Sequence, residues 1–202
     1  MKLKKIIAIV ISALLIIPSI IISGSVIAQK SQANLIAYYS FDNVDIIGED
    51  TAGTNDLIVK TASVVSQDDD AVSGKAVHIG AFSGYDTHFY AKDILEGKTD
   101  FTVSAFAKLD RGVTADNHTI FSNGWQNSGG LSFGFSSHEW MYICADVKGG
   151  DWIAFNLKDS TKNNGFSAYD WHNYTLSLEN GKCLKVYIDG ALAYSQNFTE
   201  VL

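Results

Sequence analysis

The chain has 202 residues, 47% hydrophobic and 18% charged, with 22 acidic side chains against 15 basic ones and a formal net charge of −7. That balance lacks the basic patch which nucleic acid or an anionic membrane surface would need, so neither is expected as a partner. Cys144 and Cys183 are the only cysteines, too few for a disulfide framework, and both fall inside expected strands, where a thiol serves as a small hydrophobe.

Residues 1–28 read as an export leader. Lys2, Lys4 and Lys5 form a positive start, Ile6 to Ile22 is almost wholly apolar, and Val26-Ile27-Ala28 offers a cleavage site. The expectation is cleavage after Ala28, with the product secreted or held at the cell surface. The apolar run approaches the ~18 residues that span a bilayer, so a membrane enters only if the leader stays uncleaved. Its removal takes three lysines and leaves 12 basic residues against 22 acidic ones, a charge of −10. Residues 29–33 form a short linker, and 34–202 read as one domain with no internal repeat.

Strand signals fill that domain, and no segment carries a helical period. The only proline is Pro18, so turns rest on Gly, Asn and Asp. Residues 35–41 alternate, with Ile36 and Tyr38 on one face and Ala37, Tyr39 and Phe41 on the other. Strands are expected over 57–65 and 75–79, with Asp68-Asp69-Asp70 as a solvated loop tip between them. In the strand that follows, Phe101, Val103, Ala105 and Ala107 share a face. A meander comes next, over 119–122, 131–135, 140–147, 152–157, 174–178 and 184–188. Asn180-Gly181 and Asp189-Gly190 mark tight hairpins. A single helical turn at 93–96 is the most helix the sequence offers. Short strands at this spacing predict an all-β fold, an antiparallel two-sheet sandwich.

Six motifs in fixed order make the comparison more specific. They are Tyr38-Tyr39-Ser40-Phe41-Asp42, the loop from Asp50 through Gly53 to Asn55, Gly74-Lys75-Ala76-Val77, the Asp-Phe-Thr strand at 100–106, Trp171-His172, and the hairpin strand at 186–190. Together they resemble the laminin-G-like domain of the concanavalin A-like lectin/glucanase superfamily, in its bacterial exported type. The resemblance spans 34 to about 198 and implies a concanavalin A-like jelly roll. It also implies closing strands beyond Leu202, so the domain is expected to be incomplete, with the strand at 35–41 left unpaired along one side.

The superfamily includes glucanases, whose active strand places carboxylates at alternating positions in one cleft. Glu49, Glu96, Glu139, Glu179 and Glu200 are the only glutamates, and none has an Asp two residues on or a Glu five residues on. The five histidines show neither a nucleophile elbow nor a zinc spacing, and His172 reads as structural. No catalytic residue is therefore expected. Calcium is the plausible cofactor, because the loop from Asp50 to Asn55 supplies oxygen ligands and related domains often pin the equivalent loop with a cation. Asp50 and Asn55 are the candidate ligands.

Sugar recognition needs aromatic platforms beside polar groups. The loop residues that fit are Trp125 with Asn123, Gln126 and Asn127, then Tyr85 and His88, and Trp152. The expected function is a non-catalytic binding module for a polysaccharide, another glycan, or a surface or matrix protein. The alternatives are a structural or adhesive spacer within a larger surface protein and, further off, a glycoside hydrolase-related domain.

Overall fold

A computed structural model describes residues 5–12, 35–60, 62, 65–79, 88–111, 118–123, 131–137, 139–145, 151–156 and 166–198. These contain fourteen strands and no α-helix. In chain order the strands are β1 (Lys5–Ser12), β2 (Leu35–Tyr39), β3 (Ile58–Val59), β4 (Val65–Asp68), β5 (Ala76–Ile79), β6 (Phe89–Tyr90) and β7 (Phe101–Leu109). They continue with β8 (His118–Ser122), β9 (Leu131–Phe135), β10 (Trp140–Ala145), β11 (Asp151–Asn156), β12 (His172–Glu179), β13 (Cys183–Ile188) and β14 (Ala191–Asn197).

Two antiparallel sheets make a sandwich. The larger has eight strands in the order β14-β13-β12-β7-β1-β5-β4, with β2 also paired to β1; the smaller runs β11-β10-β9-β8. A separate two-stranded ribbon joins β3 to β6. This is the expected all-β, concanavalin A-like architecture.

Alternation builds the core. Phe101, Val103, Ala105, Ala107 and Leu109 of β7 are buried, as are Tyr174, Leu176 and Leu178 of β12 and Leu184, Val186 and Ile188 of β13. They meet Phe133, Phe135, Met141 and Ile143 of the smaller sheet, and the Phe135 ring stands edge-on to Tyr174 with centroids 5.0 Å apart. Each such side chain contributes ~1.5–3 kcal/mol by leaving water, which makes this interface the main source of stability. Cys144 in the smaller sheet and Cys183 in the larger are both free thiols.

Both hairpins close as the sequence indicates. Asn180 and Gly181 take φ of 53° and 64°, and Asp189 and Gly190 take 50° and 78°, the paired left-handed conformations of a type I′ turn. The segment 93–96 is a turn, closed by the Glu96 N–H donating to Asp93 O at 3.1 Å.

Three features depart from the sequence reading. The strand expected over 57–65 divides, because Ile58 and Val59 pair with β6 whereas Val65–Asp68 pair with β5; one straight strand cannot serve both partners. The Asp68-Asp69-Asp70 tip is not merely solvated. Asp69 pairs with Lys75, Asp70 pairs with Lys108, and the Trp171 indole N–H donates to Asp70 at 3.1 Å, so the tip is clasped to the larger sheet. Finally, Leu35–Tyr39 has a partner where an open side was expected. Lys5–Ser12, within the segment read as a leader, lies antiparallel between β2 and β7.

Candidate functional site

The described surface is most distinctive where β2, the loop after it and the β3–β6 ribbon converge. β2 buries Ala37 and Tyr39 and leaves Tyr38 40% exposed. Phe41, just beyond it, is buried with φ +62°. That conformation is a genuine outlier for a bulky side chain and persists only where the surroundings over-determine it. Here the Gln67 side-chain amide donates to Phe41 O at 2.6 Å, and the Phe41 ring packs 5.6 Å from Phe89.

That contact fixes the ribbon. Phe89 turns toward the core, so alternation sends its neighbours His88 and Tyr90 outward. Both are exposed, with ring centroids 5.8 Å apart. Ile58, the register partner of Tyr90, is 53% exposed. Hydrogen bonds hold the ribbon at both ends, from Lys60 N–H to His88 O (3.1 Å) and from Leu57 N–H to Gly48 O (2.7 Å). The product is a fixed apolar and aromatic shelf open to solvent.

Asp50 and Asn55 lie beside it, and their geometry is that of a staple. Asp50 Oδ1 accepts the N–H groups of Tyr38 (2.9 Å) and Ala52 (3.0 Å). Its Oδ2 accepts the Asn55 backbone N–H (3.0 Å) and side-chain amide (3.3 Å). The Asn55 amide also donates to Ile36 O (3.1 Å), and the Tyr39 hydroxyl donates to Asn55 O (2.7 Å). Burial alone would push the Asp50 carboxyl up, but the N–H groups of Tyr38, Asn55 and Ala52 outweigh it and hold the group below its ordinary range. Four donors aimed at one carboxylate occupy the lone pairs a calcium ion would require, so these residues do not fit that ion. Among the described residues no group of three or more His, Cys, Asp or Glu is placed to hold a metal.

The remaining candidates are scattered. Asn123 is exposed but engaged, its Oδ1 accepting the Leu131 N–H (2.7 Å) and its own N–H donating to Leu131 O (3.1 Å). It therefore closes the mouth of the loop it begins. Trp152 lies in β11 opposite Cys144. Tyr85, Trp125, Gln126 and Asn127, and the side chain of Trp152, lie outside the described residues. Of the candidates, only His88 falls on the shelf. Tyr90 and Ile58 were missed, although the alternation through His88-Phe89-Tyr90 marks Tyr90 as the partner of His88.

His172 is tied down as well. Its Nδ1 lies 2.6 Å from Asp189 Oδ2, Phe166 stacks on it at 4.3 Å, and Asp189 also accepts the Asn173 N–H at 2.9 Å. Asp189 thus anchors the start of β12 from the turn that ends β13.

A two-sheet antiparallel sandwich with a loop-borne shelf defines the lectin and glucanase class of fold. The family model for laminin-G domains of the concanavalin A-like lectin/glucanases superfamily matches residues 82–202, more than half of the chain, and the protein belongs to that family. No curated protein matches it. Among solved structures it is similar to a point mutant of HCR/D (14% identity, TM-score 0.41) and to the receptor binding domain of botulinum neurotoxin C/D mosaic serotype (12%, 0.39). Each likeness covers 76% of this chain, which spans only 36% and 38% of the two relatives, and at these scores neither bears on function.

Proposed function

We propose that the protein is an exported, non-catalytic binding module that holds carbohydrate against the shelf formed by His88, Tyr90 and Ile58. The observation that carries this reading is the pair of exposed rings 5.8 Å apart on a ribbon anchored through Phe41 and Phe89. A pyranose offers an apolar C–H face that stacks on such rings. A shelf fixed in advance binds without an ordering cost.

The non-catalytic reading is supported by what the carboxylates do. Glu179 is paired with Lys185 at 2.7 Å, and Glu49 accepts the Asn43 amide at 2.8 Å. The Asp189–His172 pair resembles half of a triad, yet His172 Nε2 is buried and meets no hydroxyl or thiol among the described residues. A second reading, a protein ligand, is favoured by Val44 and Ile46, which are 68% and 48% exposed on the loop after β2.

Affinity electrophoresis through polysaccharide gels tests the proposal. Tyr90→Ala and His88→Ala should each lose retention about tenfold, the usual effect of removing a ~1.4 kcal/mol contact, with little change in Tm. Unchanged retention in both variants would remove the shelf from consideration. Capture of a surface protein that Val44→Asp abolishes would transfer the function to the second reading.

A further inference from the structure

The join between the two halves of the larger sheet is a single strand. All eight residues of β1 pair with β7, from Lys5 opposite Leu109 to Ser12 opposite Thr102. On its other side Ile9–Ser12 pair with β2, and Ile6 stands opposite His78 of β5. Without β1 the sheet parts into β14-β13-β12-β7 on one side and β2 with β5-β4 on the other. Ladder groups along β7 and β2 would then have no partner in the middle of a sheet, where the core residues Val103, Ala105, Ala107, Ala37 and Tyr39 are 0–1% exposed.

The register states what this place accepts. Ile7, Ile9 and Ile11 stand opposite Ala107, Ala105 and Val103, and Ile9 and Ile11 also stand opposite Tyr39 and Ala37. An occupant needs an extended strand of about eight residues, apolar at alternate positions and antiparallel to both neighbours.

We infer that the place between β2 and β7 is an acceptor for one extended apolar strand. Lys5–Ser12 fills it in the full chain, and cleavage after Ala28 opens it to a strand of a partner polypeptide. The second half of this statement rests on the export reading. A second copy is the poorer donor. The uncharged, alternating strand it could offer is β2, and releasing β2 would unpick Ala37 and Tyr39 from that copy's own core. A partner segment that is extended beforehand carries no such cost.

The test uses protein exported from cells that express the full chain, with its amino terminus read by mass spectrometry. It is mixed with a soluble, lysine-tailed peptide of the sequence Lys5–Ser12, or with the same peptide carrying Ile9→Pro. The expected result is one peptide per chain, a Tm raised by about 5 °C or more, and slowed amide exchange along 102–109 and 35–39. The proline peptide should do none of this. A monomer already protected along 102–109, with no response to peptide, would overturn the inference. A dimer with that protection would assign the place to a second copy and overturn the partner assignment. If Met1 is found instead of Gln29, the export reading fails by itself. The acceptor is then tested by Ile9→Pro in the intact chain. A lower Tm restored by the unmodified peptide supports it, and an unchanged Tm overturns it.

Discussion

Asp50 shows how one side chain organises the loop beside the shelf. Only 4% exposed, it satisfies three backbone N–H groups and one side-chain amide. Asp50→Ala would strand those donors and should cost ~1–3 kcal/mol in chemical denaturation, the penalty for leaving buried polar groups unmade. The carboxyl is held below its ordinary value of about 3.9. Its contribution is therefore present above that pH and lost as pH falls through the lower folded value. Asp50→Asn should flatten the acid limb of the stability curve below about pH 4, and an unchanged acid limb would show that another carboxylate governs it. Gly74 is constrained in a different way. Its φ is +61°, and a Cβ there would stand 2.2 Å from Asp42 Oδ1, which already accepts the Lys75 N–H at 2.6 Å.

Among the elements, the β13–β14 hairpin gives the cleanest test of turn chemistry. Gly190 has φ +78°, and no atom lies within 4 Å of the place an added methyl would take, so Gly190→Ala meets conformational strain and no clash. The expected loss is ~1–2 kcal/mol, the left-handed penalty of an L residue, read as a lowered urea midpoint with unchanged m-value. Asp189→Ala should cost more, because it removes the bonds to His172 and Asn173 as well as the turn former. Equal losses in the two variants would mean that the anchor on β12 contributes nothing. The β3–β6 ribbon has only one residue pair beyond its first, and it stands through the Phe41–Phe89 contact more than through its own ladder.

For the molecule as a whole, buried phenols set the alkaline limit. Burial pushes Tyr142 up to about 12, with its hydrogen bond to Thr119 pulling it partly back. Burial also lifts Tyr174 and Tyr39 beyond the ordinary phenol range, helped by the charge of Asp189 in one case and of Asp50 and Asp56 in the other. Groups raised in the fold contribute stability that is complete below about pH 10 and lost as pH rises through the folded values. Unfolding should therefore set in above about pH 10 as the unfolded chain ionises tyrosines that the fold keeps neutral. Ultraviolet titration should find these three phenolates appearing together with loss of structure, and their smooth ionisation in a folded protein would contradict this. Export is the other expectation at this scale. Secreted material should begin at Gln29, whereas Met1 in a membrane fraction would make the protein an anchored one.

Much of the architecture was legible from local chemistry. Alternation through 35–41 and 101–109, with Asn-Gly and Asp-Gly at the hairpins, determined which faces are buried and where the chain reverses, because strand period and left-handed turns depend on neighbouring residues alone. The family followed from the order of six short motifs. The tertiary structure decided everything that depends on partners distant in sequence. It divided 57–65 between two sheets, clasped Asp70 to Lys108 and Trp171, and converted Asp50 from a candidate ligand into an acceptor for N–H groups. It also paired His88 with Tyr90 and seated Lys5–Ser12 between β2 and β7. None of these could be read locally, since a carboxylate or an apolar run has the same composition whatever it faces, and only the folded sheet fixes which donors, rings and ladder edges it meets.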